Sequence, residues 1–348
     1  MSAATVLRQE EPSGLRPVDP SRDLVRVARL IQTAFADDLD QAGRSMLRDM
    51  RNLGRLGPVL WWLNQPHMGI SSVLSGFVWV EGGEVVGNIT ITPVSSGPHR
   101  WIISNVAVAK SHQHQGIAQH MMEAAIEYIH QQRGEVVSLQ VRDDNLPALH
   151  IYESMGFQAV FGTAYLRLDQ VPTTDAVSVD PANLRHRRFT ETDANMAYQL
   201  ARAVTPHAVQ VEQPISSYRF RLGIEARLLD WIWRLMGRGP ALRLVLEKGD
   251  HLEASIATEP ATWRSESQIA LIVHPASRGL AEKPLINHVL SHLRHWSHRV
   301  ALVRHPTYHP EGIEAFKSFG FRLERTLLWM KHEIQGNATG VLARHPRS

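Results

Sequence analysis

Two stretches of this 348-residue chain carry residue types at spacings that chemistry could use. The first is Asn105-Val-Ala-Val-Ala-Lys-Ser-His-Gln-His-Gln-Gly-Ile-Ala-Gln-His-Met-Met122, in which an apolar strand gives way to a short polar loop and then to a helix opening near Gly116. A helix start offers backbone N–H groups without intrahelical partners and the positive end of the helix dipole, which together suit a diphosphate. Gly116 and Ala118 are small enough for phosphate oxygens to approach the main chain, and Gln113 adds a side-chain donor. The strand Val106–Val108 can offer main-chain groups to an extended, amide-bearing ligand. Taken alone, the same pattern also describes an ordinary strand–turn–helix connection that uses glycine.

The second stretch, Asn145-Leu-Pro-Ala-Leu-His-Ile-Tyr-Glu-Ser-Met-Gly-Phe157, reads as a short helix after a strand. Asn145 suits its N-cap and Pro147 its first turn. Ala148 and Tyr152 are four residues apart and share a face, and Gly156 is a natural stop.

Together, Gln113-x-x-Gly116-x-Ala118, Asn145 and Tyr152-Glu-x-x-Gly156-Phe157 resemble the Gcn5-related N-acetyltransferase (GNAT) family. The likeness covers Leu15–Leu168 well and Leu184 to about His332 more weakly. It implies a mixed, splayed β-sheet that holds acetyl-coenzyme A between two parting strands. By that likeness Val106, Ala107 and Val108 face the pantetheine arm through their backbone. Gln113, His114, Gln115, Gly116, Ile117, Ala118 and Gln119 cradle the pyrophosphate, and Asn145 contacts the cofactor. Tyr152 sits near the thioester sulfur as general acid, since attack of an amine expels a thiolate that a phenol in hydrogen-bond reach can protonate. Its bland alternative is a core aromatic with a satisfied hydroxyl.

The chain departs from the family where many members carry a glutamate on the strand before the loop: Arg100–Asn105 holds no carboxylate. A water on Ser104 or Asn105, or one of His112, His114, His120 and His150, is left as the base, which stays unassigned. Asp143 and Asp144 cap or solvate the second helix.

The elements around these stretches follow from periodicity. Asp23–Phe35 is an amphipathic helix, Gly76–Val80 and Glu84–Pro93 form a hairpin about Gly82–Gly83, and Trp101–Ala109 is a strand. Gly116–Gln132 is a helix, Glu135–Val141 a strand, Leu146–Met155 a helix and Phe157–Leu168 a closing strand. The class is therefore α/β (α+β) on a mixed sheet.

The pattern then repeats. Val108–Gln113 is echoed by Val273–Arg278, 165 residues on, and Tyr152–Phe157 by Phe316–Phe321, 164 residues on. Such a repeat indicates duplication, giving two GNAT-like domains, each a mixed splayed sheet flanked by helices. The bounds read 1–14 flexible N-terminus, 15–168 acetyl-coenzyme A-binding domain, 169–183 linker, 184–335 degenerate copy and 336–348 tail. In the copy Gly116 becomes Ala281, Ala118 becomes Lys283, Asn145 becomes His309 and Tyr152 becomes Phe316. Lys283 is expected to crowd the phosphate approach, and a phenylalanine cannot donate a proton. Ser45–Leu63, with Trp61 and Trp62, and Tyr218–Met236, with Trp231 and Trp233, read as apolar helices. They pack on their own domains, or else serve as an acceptor lid or a homodimer surface.

Composition narrows the rest. With no cysteine there is no thiolate nucleophile and no covalent thioester on the enzyme, so transfer should be direct. Ligand spacing gives no metal site, because none of the 19 histidines forms an HExxH-type pair. A net charge of +3 without a dense basic run gives no reason to expect nucleic acid. No apolar run approaches the roughly 18 residues that span a bilayer, and Met1–Gly14 lacks the apolar core of a signal peptide, so a cytoplasmic protein is expected. The expected reaction is acetyl transfer from acetyl-coenzyme A to a small-molecule or peptide amine in a ternary complex. The alternatives are an acyl-coenzyme A sensor without turnover, and a protein N-terminus or lysine as acceptor.

Overall fold

A computed structural model of the chain describes residues 13–36, 41–54, 75–94, 99–171, 185–221, 241–259, 266–296 and 300–334. Trp61, Trp62, Trp231 and Trp233, most of the expected linker and both termini lie outside the described residues.

The first half of the chain runs β1 (Gly14–Pro17), α1 (Pro20–Ala34), α2 (Gln41–Gly54), β2 (Ser75–Glu81), β3 (Glu84–Pro93), β4 (Arg100–Val108), α3 (Ile117–Gln131), β5 (Val136–Arg142), α4 (Leu146–Ser154) and β6 (Gln158–Leu168). The second runs β7 (Arg185–Arg188), α5 (Ala194–Val204), α6 (His207–Glu212), β8 (Leu242–Lys248), β9 (His251–Glu259), β10 (Ser267–Val273), α7 (Glu282–Trp296), β11 (Ala301–Pro306), α8 (Pro310–Ser318) and β12 (Arg322–Glu333). The sequence repeat is thus a repeat of elements. Helices α3 and α7 are both 15 residues long and start 165 positions apart; α4 and α8 are both nine long and start 164 apart.

The helices form because one stripe of each is apolar and covered. On α3, Ile117, Met121, Met122, Ala125 and Ile129 are buried, against β2, β3 and β4. Burying a large one of these contributes roughly 1.5–3 kcal/mol, more than helix propensity alone supplies. On α7 the same stripe is Leu285, Ile286, Val289, Leu290 and Leu293.

The chain packs as two compact units. Unit 1 takes Met1–Gln140, His150–Gln158 and Met330–Ser348; unit 2 takes Val141–Leu149 and Ala159–Trp329. In unit 1, β1, β2, β3 and β4 pair antiparallel in sequence order, and β5 joins β4 in parallel. In unit 2, β7 through β10 pair antiparallel in order, and β11 joins β10 in parallel. Strand β6, which ends the first half of the sequence, lies in unit 2 antiparallel to β11, with Leu168 opposite Ala301 and Thr163 opposite Pro306. The last residues of β12 belong to unit 1, where the Ile334 N–H donates to the Glu135 carbonyl at 2.8 Å.

Each half of the sequence opens on the same brace. Arg16 grips Asp23 with two hydrogen bonds of 2.6 and 2.9 Å, and the Asp19 N–H donates to the same carboxylate at 2.8 Å. Arg187 grips Asp193 at 2.7 and 2.8 Å, with the Thr190 N–H donating at 2.7 Å. Both carboxylates are fully buried, and the fork geometry satisfies both oxygens at once. The Arg187 bond, against burial, holds the Asp193 carboxyl down to about 2.

Candidate active site

The site starts from an irregularity in β4. Opposite β3 the register runs Gly87↔Val108 and Asn88↔Ala107, then resumes at Thr90↔Ser104, so β4 accommodates one extra residue around Asn105 and Val106. Asn105 lies in the left-handed region at φ 52°, which asparagine tolerates better than most residues. The Asn88 amide donates to the Asn105 carbonyl at 2.9 Å, and the Asn105 amide reaches Thr90 Oγ1 at 3.3 Å. A bulge of this kind bends the strand and re-aims its groups. On its other edge β4 pairs with β5 only from Arg100–Ile102 to Val136–Ser138. Beyond Ile102 the two strands part. Val106, Ala107 and Val108 lie on that splayed segment; Ala107 turns its side chain into the core with α1, while Val106 and Val108 stay partly exposed.

Past β4, Lys110–His112 make one tight turn, and left-handed backbone at His114 (φ 63°) and Gly116 (φ 77°) reverses the chain into α3. At that angle glycine is strain-free and other residues are not. No side chain caps α3. Gln113, His114, Gln115 and Gly116 are exposed, so the first-turn N–H groups around Ile117, Ala118 and Gln119 open toward an uncovered loop. The side chains around them are engaged elsewhere. Ile117 is buried, Gln119 donates to Glu123 at 3.0 Å, and Gln113 Nε2 donates to the Val108 carbonyl at 3.3 Å, joining loop to strand. His120 Nδ1 lies 2.9 Å from the Gly116 carbonyl.

On α4, Asn145 is the N-cap, its Oδ1 accepting from the Ala148 N–H at 3.2 Å. Asp144 is forked by Arg142 at 2.7 and 2.6 Å, which holds its carboxyl below the usual range, and is a loop brace. The Asp143 N–H donates to the Thr326 carbonyl at 3.0 Å. Tyr152 is only 7% exposed, with its ring 6.0 Å from that of Phe157. Burial pushes its phenol up to about 12. The hydroxyl therefore keeps its proton across ordinary pH, the state a proton donor needs.

None of the histidines considered as bases is set apart by its surroundings. His114, His120 and His150 are exposed, and half-buried His112 lies 2.8 Å from Ser111 Oγ and 3.4 Å from Glu81. One residue near Tyr152 has no local signal in the sequence. His332, near the end of β12, sets its Nδ1 3.3 Å from the carbonyl of Gly156, 176 residues away along the chain, and its ring 5.3 Å from that of Phe157.

In the second half the start of α7 differs from that of α3. Lys283 is exposed, and the buried side chain at the start of α7 is its neighbour Glu282. Phe316, in the place of Tyr152, is wholly buried.

Residues 46–157 match the model of the acetyltransferase (GNAT) family. N-alpha-acetyltransferase RimI of Mycobacterium tuberculosis is 34% identical over 81 residues, 23% of this chain and 49% of RimI, so the chain spans about half the length of that relative. Among solved structures, a GCN5-related N-acetyltransferase from Sphaerobacter thermophilus aligns with TM-score 0.61 at 14% identity, over 92% of this chain and 96% of that one. A tandem GNAT protein from the clavulanic acid biosynthesis pathway aligns with TM-score 0.52 at 17% identity, over 93% and 99%. These two likenesses, at such low identity, speak for the fold, one of them being a fold built twice. The family match falls on the very residues that form the bulged strand, the uncapped helix and the tyrosine, so it is this segment, 46–157, that is similar to the GNAT family.

Proposed function

We propose that the first half of the chain, 15–168, binds acetyl-coenzyme A and transfers its acetyl group to an amine, and that 184–335 is a degenerate copy. The observation that carries this reading is the start of α3: a left-handed Gly116 and no capping side chain, directly after a strand that has parted from its neighbour. In this reading the diphosphate lies on the N–H groups of Gln113 to Gln119, and the pantetheine arm runs along Val106–Val108. Asn145 contacts the cofactor from the start of α4.

The amine nitrogen attacks the thioester carbon and an N–C bond forms. Main-chain N–H groups of the splayed strand stabilise the oxyanion. The C–S bond then breaks, the departing thiolate takes the Tyr152 proton, and solvent returns a proton to the phenol. The proton lost by the amine leaves through water, since β4 offers no carboxylate. Much of the acceleration comes from holding both reactants in register. The chain is read as a cytoplasmic enzyme that needs no metal.

That missing carboxylate favours a second reading, an acyl-coenzyme A sensor without turnover. Release of free coenzyme A, followed with a panel of small amines and of peptides bearing a free α-amine or lysine, separates the two. The partial RimI likeness puts peptide α-amines first in that panel. Tight acetyl-coenzyme A binding with no release on any acceptor would support the sensor and remove the transferase.

A further inference from the structure

The start of α7 is closed from within. Glu282, at the position the repeat aligns with Ile117, is 1% exposed. Its Oε1 lies 2.9 Å from His309 Nε2, and His309 Nδ1 lies 2.9 Å from His305 Nε2. Both rings are buried, 3% and 1% exposed. One proton arrangement satisfies all three groups: His305 Nε2–H donates to His309, and His309 Nε2–H donates to the carboxylate. Burial drives the Glu282 carboxyl upward, but the His309 bond and the N–H groups of Glu282 and Gly279 more than offset this, so it is held ionised. The other oxygen, Oε2, is buried without a hydrogen-bond partner. An ionised carboxylate at a helix N-terminus is stabilised by the dipole.

The surroundings are shaped for this chain of groups. A Cβ at Gly312, the position aligned with Ala148, would fall 2.2 Å from His305 Nε2, so only glycine leaves room for the ring. Arg278, aligned with Gln113, donates to the Tyr308 carbonyl at 3.1 Å and ties the loop before α7 to the loop before α8. Three polar residues and a fitted glycine act together here.

We propose that Glu282 is a resident anion: its carboxylate occupies the cradle at the start of α7 that a ligand phosphate would take, fastened by His309 and His305. The second half is a self-liganded copy, closed to acyl-coenzyme A. The equation of the cradle with a phosphate site rests on the reading proposed for α3, whereas the internal seal stands on the geometry of α7 alone.

The test uses the full chain and the variants Glu282→Ala and Glu282→Gln. In chloride, Glu282→Ala should melt roughly 4–10 °C below the parent chain. Inorganic phosphate at matched ionic strength should restore part of that loss, because it fills the vacated cradle. The parent and Glu282→Gln, whose cradles stay filled, should not respond. An alanine variant that melts like the parent, or ignores phosphate, overturns the proposal. Should the alanine variant fail to fold, the glutamine variant decides: a lower melting point is expected from loss of charge, and a melting point equal to the parent's overturns it. Calorimetry with acetyl-coenzyme A should give one site per parent chain. Two sites would overturn the seal; none would sink the transferase reading while the Glu282 results stand.

Discussion

At the start of α3 the chain places a left-handed glycine and no cap, while at the start of α7 it places a buried glutamate wired to two histidines. The strands leading to these helices differ too. β4 carries the bulge at Asn105, whereas β10 pairs with β9 in unbroken register from Gln268 to Val273. What the halves share is everything that holds them up: the Arg–Asp brace, the parallel joint of β4 with β5 and of β10 with β11, and helices of equal length. Scaffold and site have therefore separated. The residues that build a sheet are spread over many strands and constrain one another, while the differences between the halves gather at the two helix starts and the strands leading to them.

The largest effect is expected from erasing the difference at the helix start. Gly116→Glu would put an anion at the start of α3, one position before the residue aligned with Glu282, and would force a left-handed glutamate. Acetyl-coenzyme A binding by calorimetry should weaken roughly a thousandfold or more; near-normal affinity would mean that the loop has another purpose. Next comes Tyr152→Phe, which copies Phe316 into the first half. Turnover should fall by about 10²-fold or more while cofactor affinity stays within about twofold, because the ring remains and only the proton donor is lost. Unchanged turnover would take Tyr152 out of the chemistry.

The sealed half should also be the acid-sensitive one. Burial, aided by the neighbouring His309 and Arg278, lowers His305 to about 3. Between that value and the ordinary histidine range near 6.5 the unfolded chain binds a proton that the folded one refuses, so stability rises with pH across the window and is lost as pH falls through it. Glu282, also lowered, adds a loss further down, below its ordinary value of 4.5. The His305 loss alone should be roughly 3–5 kcal/mol by the bottom of the window. Hydrogen exchange in β11 should accelerate, after correction for intrinsic rates, from neutral pH toward pH 4 more than exchange in β5; equal behaviour of the two strands would count against it. The smallest effect is the reverse graft, Phe316→Tyr. A hydroxyl with no partner in that core costs about 1–3 kcal/mol, and no second active site should appear in coenzyme A release.

Most of the scaffold is legible from the chain alone, because helices α3 and α4, the Gly82–Gly83 hairpin and the repeat are written in local spacing. The loop at Gln113–Gln119 and the cap at Asn145 are legible for the same reason. The bulge is not, since Asn105 is an extra residue only by reference to Asn88 and Thr90 on another strand. His332 is hidden because a side-chain contact across 176 residues of chain leaves no periodic trace. The seal is half visible: the repeat sets His309 against Asn145, but nothing local says that Glu282, and not its neighbour Lys283, turns inward. Facing is decided by a helix's docking, and a shift of one residue swings a side chain by about a quarter turn or more.

The passage of β6 into unit 2 and of the end of β12 into unit 1 bears on how such a protein can shrink. Cutting the gene after Leu168 would strip Met330 and its neighbours from the unit that keeps Tyr152, and would leave Ala159–Leu168 without β11 to lie against. The second half is thus part of what holds the first half up. Removing either half would therefore cost the other a piece of its own packing.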